Sequence, residues 1–458
     1  ASAGVINIIT KKSEKKSMTV GVATNSREMS NYYHFDSGKD GKLSAAFDAN
    51  FTKVRYFKWD DANMSKYFGP TQNYSLDVDY EMDQNNSLNL YLNYENTNQQ
   101  FKKFTSASGP FSYLGIYNVD RKSASLTYNG QNDNSNYMLS ATYGELKKDV
   151  TSAMSANSVG SSKFNFWNIE ARDTIKLDNN NRLTFGGEFR TDGRKDSSID
   201  ESSDQYSLFI HDELKLGEKL LLIPAVRYDH HDSFGSETSP NIGATYSFTE
   251  ASRLKANYGE GYRAPSISEL YGTYSNPNLR PEKSKGYELS YEQEFGDDTA
   301  VKLTYFKNKK TDAIAMDYSL APNYQYMNIE KSSSEGVEFE IKHDLGNGFT
   351  VIGNYDYLDA MNDKTNTRLN YSARNTYTAK LMWTEPVKQE WNITWNKWYS
   401  DYRADSEDHS INTFNFVVNK RWGDKYRAYA GIDNLFDKKI TSMRYSGRLW
   451  RVGAEMTF

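Results

Sequence analysis

The last ten residues, Leu449 to Phe458, alternate strictly between two kinds of side chain. The apolar set is Trp450, Val452, Ala454, Met456 and Phe458, and the set between them is Arg451, Gly453, Glu455 and Thr457. Transmembrane strands of a β-barrel need this period of two, because one face meets acyl chains and the other meets water. The pattern therefore predicts a chain that crosses an outer membrane with β-strands.

Composition supports that prediction and excludes several other classes. Hydrophobic residues make up 37% of the chain, and no apolar run approaches the roughly 18 residues that a helical span requires. The chain has 35 Tyr, 23 Phe and 8 Trp, which suit the aromatic girdles of a barrel. A soluble β-protein such as a propeller also favours aromatic residues, but no blade-length repeat is apparent. The absence of cysteine excludes disulfide and thiolate chemistry, and a net charge of -5 without a basic run gives no sign of nucleic-acid binding.

Alternating segments recur along the whole chain, separated by two kinds of connection. In residues 74–82 and 88–95 the polar side chains of the alternation would line a lumen. The tight connections are residues 39–42, 83–86, 177–180, 297–298 and 345–348, and the long ones are residues 56–73, 99–120, 264–282, 316–333 and 359–374. We therefore predict an all-β, multi-pass antiparallel barrel of about 22 strands, with short periplasmic turns and long extracellular loops. A barrel of that size encloses a lumen that needs a plug.

Two motifs in residues 258–284 are specific to a known family. The first is Tyr262, Arg263, Ala264 and Pro265, and the second is Asn276, Pro277, Asn278 and Leu279. Together with residues 335–338 and 433–437, they resemble the TonB-dependent receptor family, whose members actively import scarce, large nutrients across the bacterial outer membrane. The terminal Phe458 is similar to the family's signal for insertion into that membrane. The resemblance implies a monomeric barrel in outer-membrane lipid that needs no cofactor, carries a small-molecule ligand and is driven by TonB, ExbB and ExbD through the plug.

The first residues look like the closing stretch of the family's plug domain. We therefore divide the chain into residues 1–17, a plug remnant with its linker, and residues 18–458, the barrel. The rest of the plug is not in this sequence, so the resemblance implies that it is supplied as a separate polypeptide or has been removed. Residues 5–10 could instead be a first barrel strand. A barrel without any plug would be a passive porin, which is a further alternative.

Three segments, residues 227–235, 258–284 and 354–360, resemble the cobalamin (vitamin B12) transporters within the family. Cobalamin or another corrinoid is therefore the expected ligand, and siderophore receptors, which share part of the pattern, are the alternative. A heme receptor is also considered, because His230 and His231 could ligate iron. Heme receptors that resemble this family carry a histidine between the two motifs, however, and residues 266–275 contain none.

Binding of a large amphipathic ligand would fall to aromatic side chains of the outer loops, any of which could instead be a girdle residue. The candidates, with His230 and His231, are Tyr56, Phe57, Trp59, Tyr67, Phe68, Phe104, Phe111, Tyr113, Tyr117, Tyr271 and Tyr274. Cobalamin transporters similar to this chain often bind calcium in these loops. Asp60 and Asp61 are the candidate ligands here, although calcium prefers six to eight oxygens.

An outer-membrane hydrolase is the remaining class. Such an enzyme needs a serine, a histidine and a carboxylate within hydrogen-bond reach on the barrel wall. The sequence has no Gly-x-Ser-x-Gly motif. Histidines at positions 34, 211 and 343 fall within predicted strands, so counting residues does not exclude a triad. We nevertheless predict a transporter without catalytic residues.

Overall fold

A computed structural model describes residues 15–54, 66–105, 111–152, 160–317, 324–404, 407–440 and 445–458. The first thirteen strands are β1 (Lys16–Asn25), β2 (Glu28–Asp40), β3 (Leu43–Val54), β4 (Lys66–Glu81), β5 (Asn86–Thr105), β6 (Phe111–Gln131), β7 (Ser135–Ser152), β8 (Gly160–Lys176), β9 (Asn181–Lys195), β10 (Asp200–Leu216), β11 (Leu220–His231), β12 (Gly235–Thr249) and β13 (Ser252–Arg263). Then follow α1 (Ile267–Tyr271), β14 (Glu282–Phe295), β15 (Thr299–Asp317), β16 (Gln325–Gly346), β17 (Phe349–Asn362), β18 (Thr367–Arg368), β19 (Ser372–Thr384), β20 (Trp391–Ala404), β21 (Glu407–Trp422), β22 (Tyr426–Asp433), β23 (Lys439–Ile440), β24 (Tyr445–Ser446) and β25 (Leu449–Thr457).

The long strands form one closed antiparallel barrel of 22 strands, as the sequence predicted. Each strand pairs with its neighbour in the chain, and the two-residue strands β18, β23 and β24 lie in the connections. Closure comes from β1, which pairs with β25 in the register Thr19 opposite Thr457. The Met18 amide donates to the Phe458 carbonyl, and the Phe458 amide donates back to the Met18 carbonyl at 2.9 Å. We call the β1–β25 pair the seam.

The two faces of the barrel wall follow the alternation in the sequence. Trp450 and Phe458, on the outward face of the last strand, are 56% and 64% exposed. On the lumen face, the Asn89 amide donates to Asp77 at 2.5 Å and to Asp79 at 3.0 Å. Polar groups therefore pair with one another inside while apolar groups face outward, which is the arrangement a lipid-embedded barrel requires. Within the described ranges, no helix is long and apolar enough to cross a membrane.

Connections at the two ends of the barrel differ in length, but several long loops are shorter than predicted. The prediction of a loop over residues 99–120 is wrong for most of that span, because β5 and β6 pair continuously up to Thr105 opposite Phe111. Likewise β15 extends to Asp317 and β17 to Asn362, and β4 begins at Lys66. Beyond the membrane band both faces meet water, so the side-chain alternation fades although backbone pairing continues. The pattern that located the strands could not locate their outer ends.

The tight turn between β16 and β17 depends on two glycines with positive φ. Gly346 has φ +78° and open space where a side chain would begin. Gly348 has φ +82°, and a Cβ there would collide with the carbonyl oxygen of Thr384. The second glycine is therefore required by packing as well as by backbone conformation.

Candidate functional site

Three arginines lie over phenylalanine rings on the lumen wall formed by β8 to β11. All three belong to the inward-facing set of their strands, near the end of the barrel with long connections. Guanidinium groups stack favourably on aromatic faces at such separations. The distances from guanidinium carbon to ring centroid are 5.2 Å for Arg190 and Phe166, 5.3 Å for Arg194 and Phe164, and 5.9 Å for Arg227 and Phe209.

Glycines on neighbouring strands make room for these rings. A Cβ at Gly144 would strike the Phe166 ring. A Cβ at Gly186 would lie 2.5 Å from the Phe209 ring. The rings therefore lie against bare backbone instead of projecting across the lumen, and the arginines can cover them. The two glycines therefore allow the aromatic and cationic side chains to form a flat wall.

Acidic partners fix the three guanidinium groups. Arg190 donates two parallel hydrogen bonds to Asp192, at 2.7 and 2.8 Å. Arg227 donates to Glu188 at 2.7 Å and to Asp229, a carboxylate only 2% exposed, at 2.9 Å. Such bidentate and networked pairs hold a planar group in one orientation. The wall is therefore preorganised and nearly balanced in charge.

Arg194 links this wall to the connection between β9 and β10 and to α1. Its guanidinium donates to Asp196 at 2.7 Å and to the Ser268 hydroxyl. The Ser198 amide donates to Asp196 at 2.9 Å, and this bond, with the salt bridge to Arg194, outweighs burial and lowers the pKa of Asp196 to about 2.

The arginine wall borders a cavity of about 1190 Å³ in the extracellular half of the barrel. Tyr262, Arg263, Ala264 and Pro265, from the first motif, form another part of its lining, as does Tyr271. A cavity of this size accepts a large ligand or a protein segment. The first of the two motifs therefore lies at the candidate site.

The loop of residues 264–281 is held to the barrel at its first turn by a capped helix. Ser266 and Glu269 form a reciprocal capping box at the start of α1. Arg263 donates to Glu269 at 2.9 Å and to Glu282 at 2.9 Å, so it joins the loop to β14. Burial acts to raise the pKa of Glu269, but the bonds from Arg263 and Ser266 prevail and hold that pKa below its ordinary value.

The second motif anchors the other end of the same loop and does not line the cavity. The Asn276 side chain donates to the Tyr326 carbonyl at 2.9 Å, and the Arg280 amide donates to Asn328 at 2.8 Å. Leu279 is 3% exposed. Asn276 also accepts the amide of Asn278 at 2.9 Å, and Pro277 lies between them. These residues therefore have a structural role, tying the loop to β16.

The two adjacent histidines point to opposite faces of β11. His231 faces the lumen, lines the cavity and is buried. His230 faces outward, where its Nδ1 lies 3.0 Å from the Ser236 hydroxyl. Because neighbouring residues of a strand project oppositely, the pair cannot ligate one iron atom. The interpretation of His230 and His231 as joint heme ligands is therefore wrong.

His231 does belong to a serine, histidine and aspartate set. Its Nε2 lies 2.9 Å from the Ser203 hydroxyl, and its Nδ1 lies 3.0 Å from Asp232. However, the Ser233 amide donates to Nδ1 at 3.1 Å, so the neutral ring carries its proton on Nε2 and donates to Ser203. A catalytic triad needs the reverse tautomer, in which Nε2 accepts from the serine. This arrangement does not activate Ser203.

Some of the remaining predicted site residues lie away from the cavity, and the others fall where the structure does not describe their side chains. Tyr274 packs edge-on against Tyr324 at 5.8 Å, away from the cavity, and Tyr117 lies under Lys148, 5.0 Å from its ammonium. Five others lie on strands β4 to β6 with side chains outside the described set: Tyr67, Phe68, Phe104, Phe111 and Tyr113. Tyr56, Phe57, Trp59, Asp60 and Asp61 lie outside the described residues. Among the described residues, no group of three metal-binding side chains comes together, and calcium binding stays a prediction.

Sequence reasoning missed the arginine wall itself. Phe164 and Phe166 alternate with polar residues, which is also the pattern of a lipid-facing strand. The signal that could have located the wall was the alternation of Arg190, Asp192 and Arg194 on the next strand. When two strands pair in register, the alternating residues of both strands lie on the same face of the sheet.

A second lumen feature is an acidic patch on β14 to β17. Glu338 lies directly opposite Asp356 in the register of β16 and β17. Like charges at directly opposite positions destabilise a sheet. Lys302 offsets part of this charge, but it pairs with Glu340 at 3.2 Å. A cationic group supplied by a segment other than the barrel wall would therefore stabilise this acidic patch.

Comparison with known proteins agrees with this architecture. Residues 17–435 match the family described as "TonB dependent receptor-like, beta-barrel". The ferric enterobactin receptor of Pseudomonas aeruginosa is 29% identical over 292 residues, which are 54% of this chain and 39% of that receptor. The alignment thus spans well under half of the relative's length.

Solved structures show the same fold at low sequence identity. A variant of the Pseudomonas aeruginosa ferric enterobactin receptor superimposes with a TM-score of 0.86 at 18% identity, covering 100% of this chain and 83% of that one. The siderophore receptor PirA of Acinetobacter baumannii gives 0.80 at 17% identity, covering 98% and 81%. Since the family match covers nearly the whole barrel, the chain belongs to the TonB dependent receptor-like, beta-barrel family of the bacterial outer membrane.

Proposed function

We propose that this chain is the barrel of a TonB-dependent transporter that imports a ferric siderophore. The observation that carries the proposal is the wall of arginines over phenylalanine rings beside the 1190 Å³ cavity. Iron-bound catecholate siderophores are aromatic and anionic, and guanidinium groups and aromatic faces bind both properties. The named relatives, a ferric enterobactin receptor and a siderophore receptor, support the same substrate class.

Cobalamin, the ligand first expected from the sequence, is less well supported. A corrinoid is bound through aromatic contact and amide hydrogen bonds, and it offers little for a row of fixed guanidinium groups to recognise. The opposed orientation of His230 and His231 also removes the main argument for heme. The siderophore alternative is therefore preferred over both.

A plug in the lumen and the TonB, ExbB and ExbD proteins are further parts of the proposal. The pair Glu338 and Asp356, which Lys302 offsets only in part, supports a plug that presents cationic side chains to the wall at that point. The partition of the chain at residue 17 stays a prediction. Mass spectrometry of the receptor purified from its native membrane would identify a plug, and planar-bilayer recording would show a closed pore. A large steady conductance in that preparation would favour the porin alternative.

Ligand titration of the receptor tests the substrate class. Ferric enterobactin, heme and cobalamin are each titrated while tryptophan fluorescence is followed. We expect saturable binding of the ferric siderophore alone. Arg190→Gln should weaken it by about tenfold or more, since a hydrogen bond to a charged group contributes about 1.5–3 kcal/mol.

Arg253→Gln is the matched control. Arg253 also faces the lumen in an ion pair, with Glu292, but it lies at the periplasmic end of β13. Its replacement should leave siderophore affinity unchanged. Tight cobalamin binding, or equal siderophore affinity in Arg190→Gln and the wild type, would refute the proposal.

A further inference from the structure

The outward face of the barrel carries two lysines directly opposite each other. Lys285 of β14 and Lys309 of β15 stand in register. Alternation along each strand places them on the same face as Tyr287 and Tyr305, which are 47% and 40% exposed. Like charges at directly opposite positions of an antiparallel pair lie about 5 Å apart and destabilise the sheet. An anion held between the two ammonium groups would remove that cost.

The neighbouring glutamates do not balance this positive charge. Glu260 pairs with Lys285 at 2.8 Å, and Glu335 pairs with Lys307 at 2.5 Å. Lys309 lies on the wall between these two pairs. In the part of the chain that the structure describes, no ion pair to Lys309 is found. Three lysines therefore face two glutamates, which leaves one positive charge without a partner.

The register of β14 and β15 gives the height of the lysine pair above the periplasmic turn. The ladder begins beside that turn, with Phe295 opposite Thr299, and reaches Lys285 opposite Lys309 ten residues higher on both strands. At a rise of about 3.3 Å per residue and a tilt of about 40°, ten residues climb about 25 Å. That distance is the height of the whole apolar band of a barrel, which is about 25 Å. The two lysines therefore lie at its outer edge.

The chemistry of the outward side chains marks the same edge. Four neighbouring strands, β13 to β16, change there from aromatic or apolar residues to charged ones. The changes are from Tyr258 to Glu260, from Tyr287 to Lys285, from Tyr305 to Lys307 and from Val337 to Glu335. Aromatic girdles lie at the interfaces of a lipid-embedded barrel, and charged side chains are costly within the apolar band. The lysine pair therefore lies at the level of the outer-leaflet head groups.

We propose that Lys285 and Lys309 bind a phosphate group of an outer-leaflet lipid. The phosphate lies between the two ammonium groups and neutralises the charge that the glutamates leave without a partner. The acyl chains of the same lipid extend below it over Leu289 and Leu303, which are 46% and 48% exposed. The apolar wall beneath the lysines thus favours a lipid over free phosphate. The site lies on the opposite face of the wall from the lumen cavity, so it does not depend on the imported ligand.

Native mass spectrometry of the intact receptor in neutral detergent tests the site. The probe is bisphosphorylated lipid A, titrated beside the same lipid after removal of its phosphates. We expect one phosphorylated lipid per barrel and about fivefold weaker binding in Lys309→Gln, since each lysine near a membrane surface contributes about that factor. The double variant that adds Lys285→Gln should bind more weakly still. The dephosphorylated lipid should not be retained.

Lys53→Gln is the matched control. Lys53 is an exposed, outward lysine of β3, ten residues above Leu43 at its own periplasmic turn, so it lies at the same height. It stands opposite Met29 and Pro70, and its replacement should leave lipid binding unchanged. Unchanged binding in Lys309→Gln, equal weakening in Lys53→Gln, or equal binding of the dephosphorylated lipid would each overturn the proposal. Circular dichroism of each variant establishes that the barrel is folded.

Discussion

Replacing Arg263 with glutamine should loosen the loop of residues 264–281 while the barrel stays folded. Arg263 is the cation between two carboxylates, Glu269 in the loop and Glu282 at the start of β14. Their side chains are 15% and 8% exposed, whereas that of Arg263 is 46% exposed. Removal of the cation leaves both acids close together in poorly hydrated positions.

The expected magnitude lies between those of buried and exposed pairs. Breaking a buried ion pair by removing one partner costs about 3–5 kcal/mol, and breaking an exposed pair costs about 1 kcal/mol or less. Lys310 remains 3.6 Å from Glu282, and Ser266 still caps Glu269, so part of the stabilisation survives. We expect a cost of about 2 kcal/mol, which corresponds to an opening equilibrium about 30-fold more populated.

Hydrogen exchange followed by mass spectrometry measures this opening. The loop contains protected amides, since Gly272 donates to Ser268 at 3.0 Å and Asn276 donates to Glu269 at 2.9 Å. Their exchange should accelerate about 30-fold in Arg263→Gln, while peptides from the barrel strands stay unchanged. Arg253→Gln, on the same strand but at its other end, should not affect the loop. Acceleration below threefold, or equal acceleration in Arg253→Gln, would refute the reasoning.

Three further predictions concern the wall and its connections. Leu90→Arg, at an outward position, should destabilise the barrel in a bilayer by about 2–4 kcal/mol in urea titration, whereas Asn89→Arg, between two lumen aspartates, should be nearly neutral. Gly348→Ala should prevent the β16–β17 turn from forming, because its Cβ meets a strand carbonyl. Gly346→Ala should cost only the left-handed strain of about 1–2 kcal/mol, and the yield of refolded barrel separates the two variants. The pKa of Asp196 is lowered to about 2, so its stabilisation is complete above the ordinary aspartate pKa and is lost as the pH falls toward 2. Asp196→Asn should therefore open residues 196–199 at pH 7, as strong acid does in the wild type. Hydrogen exchange would show the opening in both cases, and carboxyl NMR shifts of the wild type would show the pKa of Asp196.

Local periodicity was sufficient to predict the barrel but not the chemistry of its lumen. The alternation around Trp450 and Val452 arises because one strand meets lipid on one side and water on the other. It can therefore be read from consecutive residues of a single strand. The arginine wall depends on which residues of β8 and β9 stand opposite one another, and strand register is not visible in either strand alone.

The two histidines show a different kind of miss. Adjacent positions in a strand project to opposite faces, so the sequence already contained the reason that His230 and His231 do not act together. The second motif, at Asn276 to Leu279, entered the sequence analysis only as a resemblance to the family. Its role as a tether to β16 required the contacts with Tyr326 and Asn328.

The seam constrains the order in which this protein can be assembled. Every other pair of long strands joins neighbours along the chain, but the seam brings together Thr19 and Thr457, which are 438 positions apart. Bringing the ends of so long a segment together costs about 5 kcal/mol of loop-closure entropy, against much less for a hairpin. Until that step, β1 and β25 are open edges that invite pairing with other chains. Closure of the seam therefore removes the two edges through which the chain could aggregate. It can occur only after β25 has been synthesised.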